Sequence, residues 1–199
     1  MEVQSRFLER EEGRLHYLEA GPRDGPAVLL LHGMKFNART WEGLGTLQLL
    51  ARKGYRVVAL DLPGFGESAP SERPPEQVLE PLLTELALAK PVVVAPSMSG
   101  RYSFPVVVRH PEKLAGFVPI APAGIDLFEK DLGAARVPAL VVWGGADRVL
   151  PVAQAEKLAR LMPDARTVII EGADHACYLD KPEEFHKALL DFLGRVTKK

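Results

Sequence analysis

Cysteine is nearly absent. The lone thiol of Cys177 excludes an internal disulfide and any metal site built from several thiolates. An excess of one charge is missing too: 25 lysine and arginine side chains stand against 26 aspartate and glutamate. No dense basic run interleaved with aromatics occurs, so nucleic acid is not an expected partner. Long apolar runs are lacking, since a stretch such as 27–31 falls far short of the ~20 residues that cross a bilayer. The opening residues Met1-Glu2-Val3-Gln4-Ser5-Arg6 do not carry the apolar segment of a secretory signal. These absences lead to the expectation of a soluble, cytoplasmic protein with no membrane contact. Repeats, low-complexity tracts and interdomain linkers are also missing, and 199 residues with 47% hydrophobic content suit one domain over 1–199 with a full core.

What the chain does have is a regular alternation. Short aliphatic runs at 27–32, 56–61, 92–96, 116–121, 139–143 and 167–171 are separated by amphipathic stretches. That pattern predicts an α/β sheet with mostly parallel strands buried on both faces and helices on each side. Residues 4–9 and 14–19 around Gly13 predict an antiparallel hairpin at the sheet edge. Helices are expected over 41–53, closed by Gly54, and over 76–88, distorted by Pro81. Two more are expected from Val152 to Met162 and around Phe185, Ala188, Leu189, Phe192 and Leu193, the last capped by Asp180. Pro105 should kink or shorten the helix that follows 92–96.

The run 92–96 leads straight into Ser97-Met98-Ser99-Gly100. A serine at a strand-to-helix junction is a candidate nucleophile: in the elbow pattern G-x-S-x-G the sharp turn presents the hydroxyl and strains its backbone, so the flanking residues must be small. Ala95 and Ser99 replace both glycines, small enough for the turn yet a departure from the pattern. The plainer alternative is that Ser97 caps the helix beginning at Met98. A serine nucleophile needs a base with a pKa near about 7 and a group that fixes the base's tautomer. Asp147 follows the run 139–143 through Gly144-Gly145-Ala146, and His175 follows 167–171 through Gly172-Ala173-Asp174. Both stand at carboxyl ends of expected strands, the edge at which open α/β sheets build their sites. Singly, each reads as a turn or surface residue. Jointly with Ser97 they make a candidate triad, with Asp126 as the alternative acid. Asp61 is read as a turn residue, and Cys177 as packing.

Acyl transfer also needs N–H donors aimed at the oxygen that becomes negative. Met98 supplies one from the elbow, and Met34 supplies the other from the His32-Gly33-Met34 loop. His32 itself is read as a packing and hydrogen-bonding residue of that loop. Lys35 and Arg101 flank the two loops and are candidates for holding an anionic substrate group. Phe128, at helical spacing with Ile125 and Leu132, either lines an acyl pocket or packs on the sheet. It lies in the fifteen residues 123–137, too few for a multi-helix cap, because even a wholly helical segment would span about 22 Å at ~1.5 Å per residue. An open site for short acyl groups is therefore expected, with no metal and no bound cofactor.

Leu31-His32-Gly33, Asp61-Leu62-Pro63-Gly64-Phe65-Gly66-Glu67-Ser68, the elbow and Gly144-Gly145-Ala146-Asp147 together resemble the α/β-hydrolase superfamily over nearly the whole chain. Within it, residues 96–103, 116–122 and 175–184 are similar to the α/β-hydrolase-domain-containing 14 subfamily. The resemblance implies the α/β-hydrolase fold without a large cap and a triad in the order Ser, Asp, His. It also implies a serine hydrolase that cleaves short acyl esters or amides through an acyl-enzyme. The substrate would be a small molecule or an acetylated side chain. For the best-studied type it further implies removal of acetyl groups from lysine with coenzyme A as acceptor. Two other readings share the scaffold: a peroxidase or perhydrolase variant of the same triad, and a non-catalytic interaction module.

Overall fold

The computed structural model describes residues 2–197. The chain opens with an antiparallel hairpin of β1 (Gln4–Leu8) and β2 (Leu15–Ala20). Next come β3 (Ala27–Leu30), α1 (Ala38–Gly43), α2 (Thr46–Arg52) and β4 (Arg56–Leu60). A 3₁₀ turn at Pro75–Gln77 precedes α3 (Leu79–Glu85), then β5 (Val92–Pro96), a second 3₁₀ turn at Ser97–Ser99 and α4 (Gly100–Arg109). The chain closes with β6 (Gly116–Ile120), α5 (Ile125–Leu132), β7 (Ala139–Gly144), α6 (Ala153–Leu161), β8 (Ala165–Ile170), α7 (Cys177–Asp180) and α8 (Pro182–Val196). Each predicted strand is present to within two residues at either end.

The strands form one eight-stranded sheet in the order β1-β2-β4-β3-β5-β6-β7-β8, parallel from β4 onward and antiparallel over the hairpin. Alternation along each central strand sorts side chains to two faces. Leu29, Val58, Val93 and Val141 meet α3, α4, α5 and α6 on one face. Val28, Val57, Val94 and Val142 meet α1, α2 and α8 on the other. Both faces are covered, which is why these strands read as unbroken apolar runs rather than alternating ones. Trp41 is fully buried and its Nε1 donates to the Leu31 carbonyl at 2.8 Å, so truncating it to alanine would cost roughly 3–5 kcal/mol.

Three helix expectations need correction. The stretch 41–53 is two helices, because Gly45 takes a left-handed φ of 72° between them. The first begins earlier than expected, at Ala38, where Asn37 and Thr40 form a capping box. The stretch 76–88 breaks at Val78; Pro81, as the third residue of α3, lacks an N–H only where the helix offers no partner for it. Asp180 does not cap α8, since its carboxylate accepts the Asp174 amide at 2.8 Å and Lys181 occupies the cap position. Pro105 lies inside α4, which ends at Arg109 after ten residues. Among the described residues no helix is long and apolar enough to cross a membrane.

Strand order sets where a site can form. From β3 the chain steps to β4 on one side and later to β5 on the other. The carboxyl ends of β3 and β5 therefore open a crevice between diverging connections, where α/β sheets bind ligands.

Candidate active site

Ser97 follows the last residue of β5 with φ of 50°, a left-handed conformation that costs energy for any residue with a Cβ. The turn is locked from both sides: Ser99 Oγ donates to the Pro96 carbonyl at 2.8 Å, and the Ala123 amide donates to the Ser97 carbonyl at 2.9 Å. Crowding falls on Gly100, where an added Cβ would stand 2.5 Å from the Ala123 carbonyl oxygen and 2.8 Å from Pro122 Cβ. The small-residue demand is thus met at Gly100, and alanine and serine fit at 95 and 99. Among the described residues Ser97 Oγ meets His175 Nε2 rather than an amide of the following turn.

His175 Nε2 lies 2.9 Å from Ser97 Oγ, and His175 Nδ1 lies 2.8 Å from Asp147 Oδ2. The other carboxylate oxygen of Asp147 accepts the amides of Val149 at 2.8 Å and Leu150 at 2.9 Å. With a carboxylate at Nδ1, that nitrogen carries the proton, leaving the Nε2 lone pair for the serine hydroxyl. The Asp and His loops are stitched together: Gly145 donates to the Ile170 carbonyl at 2.9 Å and Ala146 to the Ala173 carbonyl at 2.9 Å. Asp174 accepts the amides of Arg148 and His175, which holds its carboxyl below the ordinary range. The three side chains form a Ser–His–Asp triad.

The loop after β3 rests directly against the serine. A Cβ at Gly33 would stand 3.6 Å from Ser97 Cβ, and the Phe36 amide closes a turn onto the Gly33 carbonyl at 3.0 Å. Among the described residues, the amides of Met34 and Met98 donate to no protein acceptor. Two buried side chains fix this loop. His32 donates from Nδ1 to the Gly33 carbonyl at 2.9 Å and accepts the Leu62 amide at Nε2 at 3.0 Å. Burial pushes its pKa down, so it stays neutral in the role the sequence assigned to it. Asp61 does more than open a turn. Its carboxylate accepts the Ala38 amide at 2.6 Å, the Glu67 amide at 2.9 Å and His16 Nδ1 at 2.7 Å.

An open cavity of about 450 Å³ faces Ser97, lined by Phe36, Pro96, Val149, His175, Ala176 and Tyr178 among others. Lys35 is among its lining residues. Arg101 is not among its lining residues and faces Glu76 at 3.7 Å. Phe128 turns into the core against Phe104, ring centroids 5.7 Å apart, so packing is its role. The alternative acid Asp126 is held by Lys157 at 2.8 Å with its side chain 82% exposed. Cys177 is buried and its thiol is pushed up to about 12, which leaves it protonated. A second hollow of about 450 Å³, between β8 and α8, is lined by Arg166, Glu184, Lys187, Asp191 and Arg195 and holds no serine or histidine. Phe36, Val149 and Tyr178 are cavity residues that no motif in the sequence marks. Tyr178 follows the base by three positions, and that closeness was the available signal.

Comparison with known proteins agrees with this fold. A family model described as the alpha/beta hydrolase fold matches residues 26–130 and 123–182. The human "Putative protein-lysine deacylase ABHD14B" is 45% identical over 192 residues, covering 90% of each chain. Rat "Protein ABHD14A" is 43% identical over 198 residues, covering 95% of this chain and 81% of the relative. Among solved structures, a "predicted CIB-like hydrolase from Thermoplasma acidophilum" superimposes with a TM-score of 0.93 at 28% identity, over 98% of this chain and 99% of that one. The chain belongs to the α/β-hydrolase fold family, with relatives of the ABHD14 type.

Proposed function

We propose that this protein is a serine hydrolase that cleaves short acyl groups from carboxylic esters or amides through an acyl-enzyme on Ser97. The observation that carries the reading is the unbroken relay from Ser97 Oγ to His175 to Asp147, at 2.9 and 2.8 Å, facing an open cavity. In the first half-reaction His175 Nε2 takes the hydroxyl proton as Ser97 Oγ bonds to the acyl carbon. The amides of Met34 and Met98 receive the oxyanion, each such donor being worth about 10²–10³ in rate. His175 then returns the proton to the departing alcohol or amine. In the second half-reaction water bonds to the same carbon, His175 takes its proton, and Ser97 leaves as the free hydroxyl.

The finer reading of the substrate is an acylated lysine side chain. It is supported by the printed name of the human relative and by the brevity of the 123–137 connection, whose one helix has eight residues. Coenzyme A as the acyl acceptor would replace water in the second half-reaction. We further infer that 1–199 is one α/β-hydrolase domain, which the single continuous sheet supports, and that it works in the cytoplasm, which a lone buried thiol suits.

A fluorophosphonate probe tests the core of the proposal. Labelling of the folded protein at Ser97, with turnover of short acyl esters and acetylated peptides, is the expected result. Product analysis with and without coenzyme A separates hydrolysis from transfer. Folded protein that resists the probe and turns over nothing would instead be an interaction module.

A further inference from the structure

Tyr178 lines the Ser97 cavity although only 2% of the residue is exposed. Its ring is clamped. It stacks on Trp41 with centroids 4.8 Å apart at 26°, and meets the edges of Phe36 at 6.4 Å and Phe185 at 6.0 Å. Among the described residues its hydroxyl has no hydrogen-bond partner. Nor is that hydroxyl sealed in: the buried side-chain polar atoms without partners are Arg6 Nε and Gln48 Oε1. The small exposed part of Tyr178 therefore includes its oxygen, and Tyr178 is one of the residues that line the cavity. Burial pushes the phenol pKa up, so the group remains an O–H donor wherever the base can work.

A buried phenol almost always finds a partner, because leaving one unmade forfeits its hydration without recompense. Here the protein supplies none, although the same cavity carries polar Lys35, Asp174 and Asp180 beside apolar Phe36, Pro96, Val149 and Ala176. We propose that the Tyr178 hydroxyl hydrogen-bonds a polar atom of the substrate beyond the scissile carbonyl, so that the site selects acyl compounds carrying such an atom over plain alkyl ones of equal length. The inference rests on the hydrolase reading above. A site that offers a fixed hydrogen bond discriminates against the analogue lacking the partner far better than an apolar wall discriminates by size.

The test uses two matched pairs. p-Nitrophenyl 3-hydroxybutyrate against butyrate places the polar atom on the acyl side. Acetyl N-acetylcysteamine thioester against S-pentyl thioacetate places it on the leaving side. The native protein should favour the polar member of at least one pair by about fivefold or more in kcat/KM, the scale of one net hydrogen bond. Tyr178→Phe should bring that ratio close to one, mainly through KM. The same substitution should hold or raise Tm, because the hydroxyl has no protein partner to lose. Equal ratios in native and variant protein, or a Tm drop of more than about 3 °C, would overturn the assignment while Ser97 labelling upholds the hydrolase. Loss of labelling and of all turnover in both proteins would overturn the two readings together.

Discussion

Asp147 Oδ2 and His175 Nδ1 stand 2.8 Å apart, with the aspartate side chain wholly buried and 19% of the histidine side chain exposed. The carboxylate has no freedom to turn, since Oδ1 is taken by two backbone amides. In Asp147→Asn the amide oxygen would keep those donors, and the NH₂ group would face Nδ1. The imidazole proton would then move to Nε2 and point at Ser97, where a lone pair is needed. A loss of roughly 10⁴ in kcat with Tm little changed is expected. Asp126→Asn, by contrast, should scarcely alter turnover. Steady-state kinetics on both variants checks the assignment of the acid, and the opposite pattern would sink it.

The molecule contains a second array of the same three residue types. Ser5 Oγ is 2.8 Å from His16 Nε2, and His16 Nδ1 is 2.7 Å from Asp61 Oδ2. Yet Ser5 is the second residue of an edge strand and does not stand at a helix amino terminus, where free amides converge. If preorganised N–H donors matter as much as the relay, a fluorophosphonate should label Ser97 and leave Ser5 untouched. Ser97→Ala should then lose labelling altogether, with esterase activity down by as much as ~10⁶. Peptide mapping after labelling distinguishes the two serines.

Gly100 is the steric keystone of the elbow. Gly100→Ala would push a methyl group against the Ala123 carbonyl, and backbone must shift to admit it. A destabilisation of about 1–3 kcal/mol is expected. At Gly43, the last residue of α1, an added Cβ meets nothing within 4 Å. Gly43→Ala should be neutral or gain up to about 1 kcal/mol. Denaturant titration of the pair provides the contrast.

Stability should weaken in mild acid. Burial lowers the pKa of His32 and of His186, so the folded state holds both neutral after the unfolded chain has begun to protonate them. A depressed histidine pKa leaves stability untouched above the unfolded value of about 6.5 and erodes it as pH falls below that. His32 must also give up the Leu62 amide to be protonated at Nε2. The fall in Tm from pH 7 to 5 should therefore be shallower in His32→Gln than in the native protein. An unchanged slope would mean that other groups carry it.

Chain-length preference follows from the open cavity. Acetyl to butyryl esters should be cleaved faster than esters of about ten carbons or more, which a pocket of this size leaves partly in water. No activation at an oil–water interface is expected. A rate series over p-nitrophenyl esters, run below and above the solubility limit, reads both.

Most of the fold was legible because the sheet is covered on both faces, so strands such as Val92–Pro96 appear as uninterrupted apolar runs. The triad was legible because each member follows a strand directly. Phe128 was ambiguous for a physical reason: helical spacing shows that a face is apolar but not whether it meets the sheet or a cavity. Its burial against Phe104 resolves that. The full part of Asp61 is not legible in sequence, since its partners His16 and Ala38 lie 45 and 23 residues away and no local pattern announces them. Tyr178 reads as core from sequence, with its closeness to His175 the one signal to the contrary, and its unpartnered oxygen is visible only in the structure.

The Asp61 carboxylate ties the first amide of α1 to His16 on β2, so the loop bearing Met34 is anchored in part to the margin of the sheet. Margins open more readily than cores. Warming should accordingly silence the enzyme before it melts, with activity fading at temperatures where the circular dichroism of the sheet is still intact. An engineer seeking a heat-tolerant version would do better to fasten the hairpin than to refill the interior.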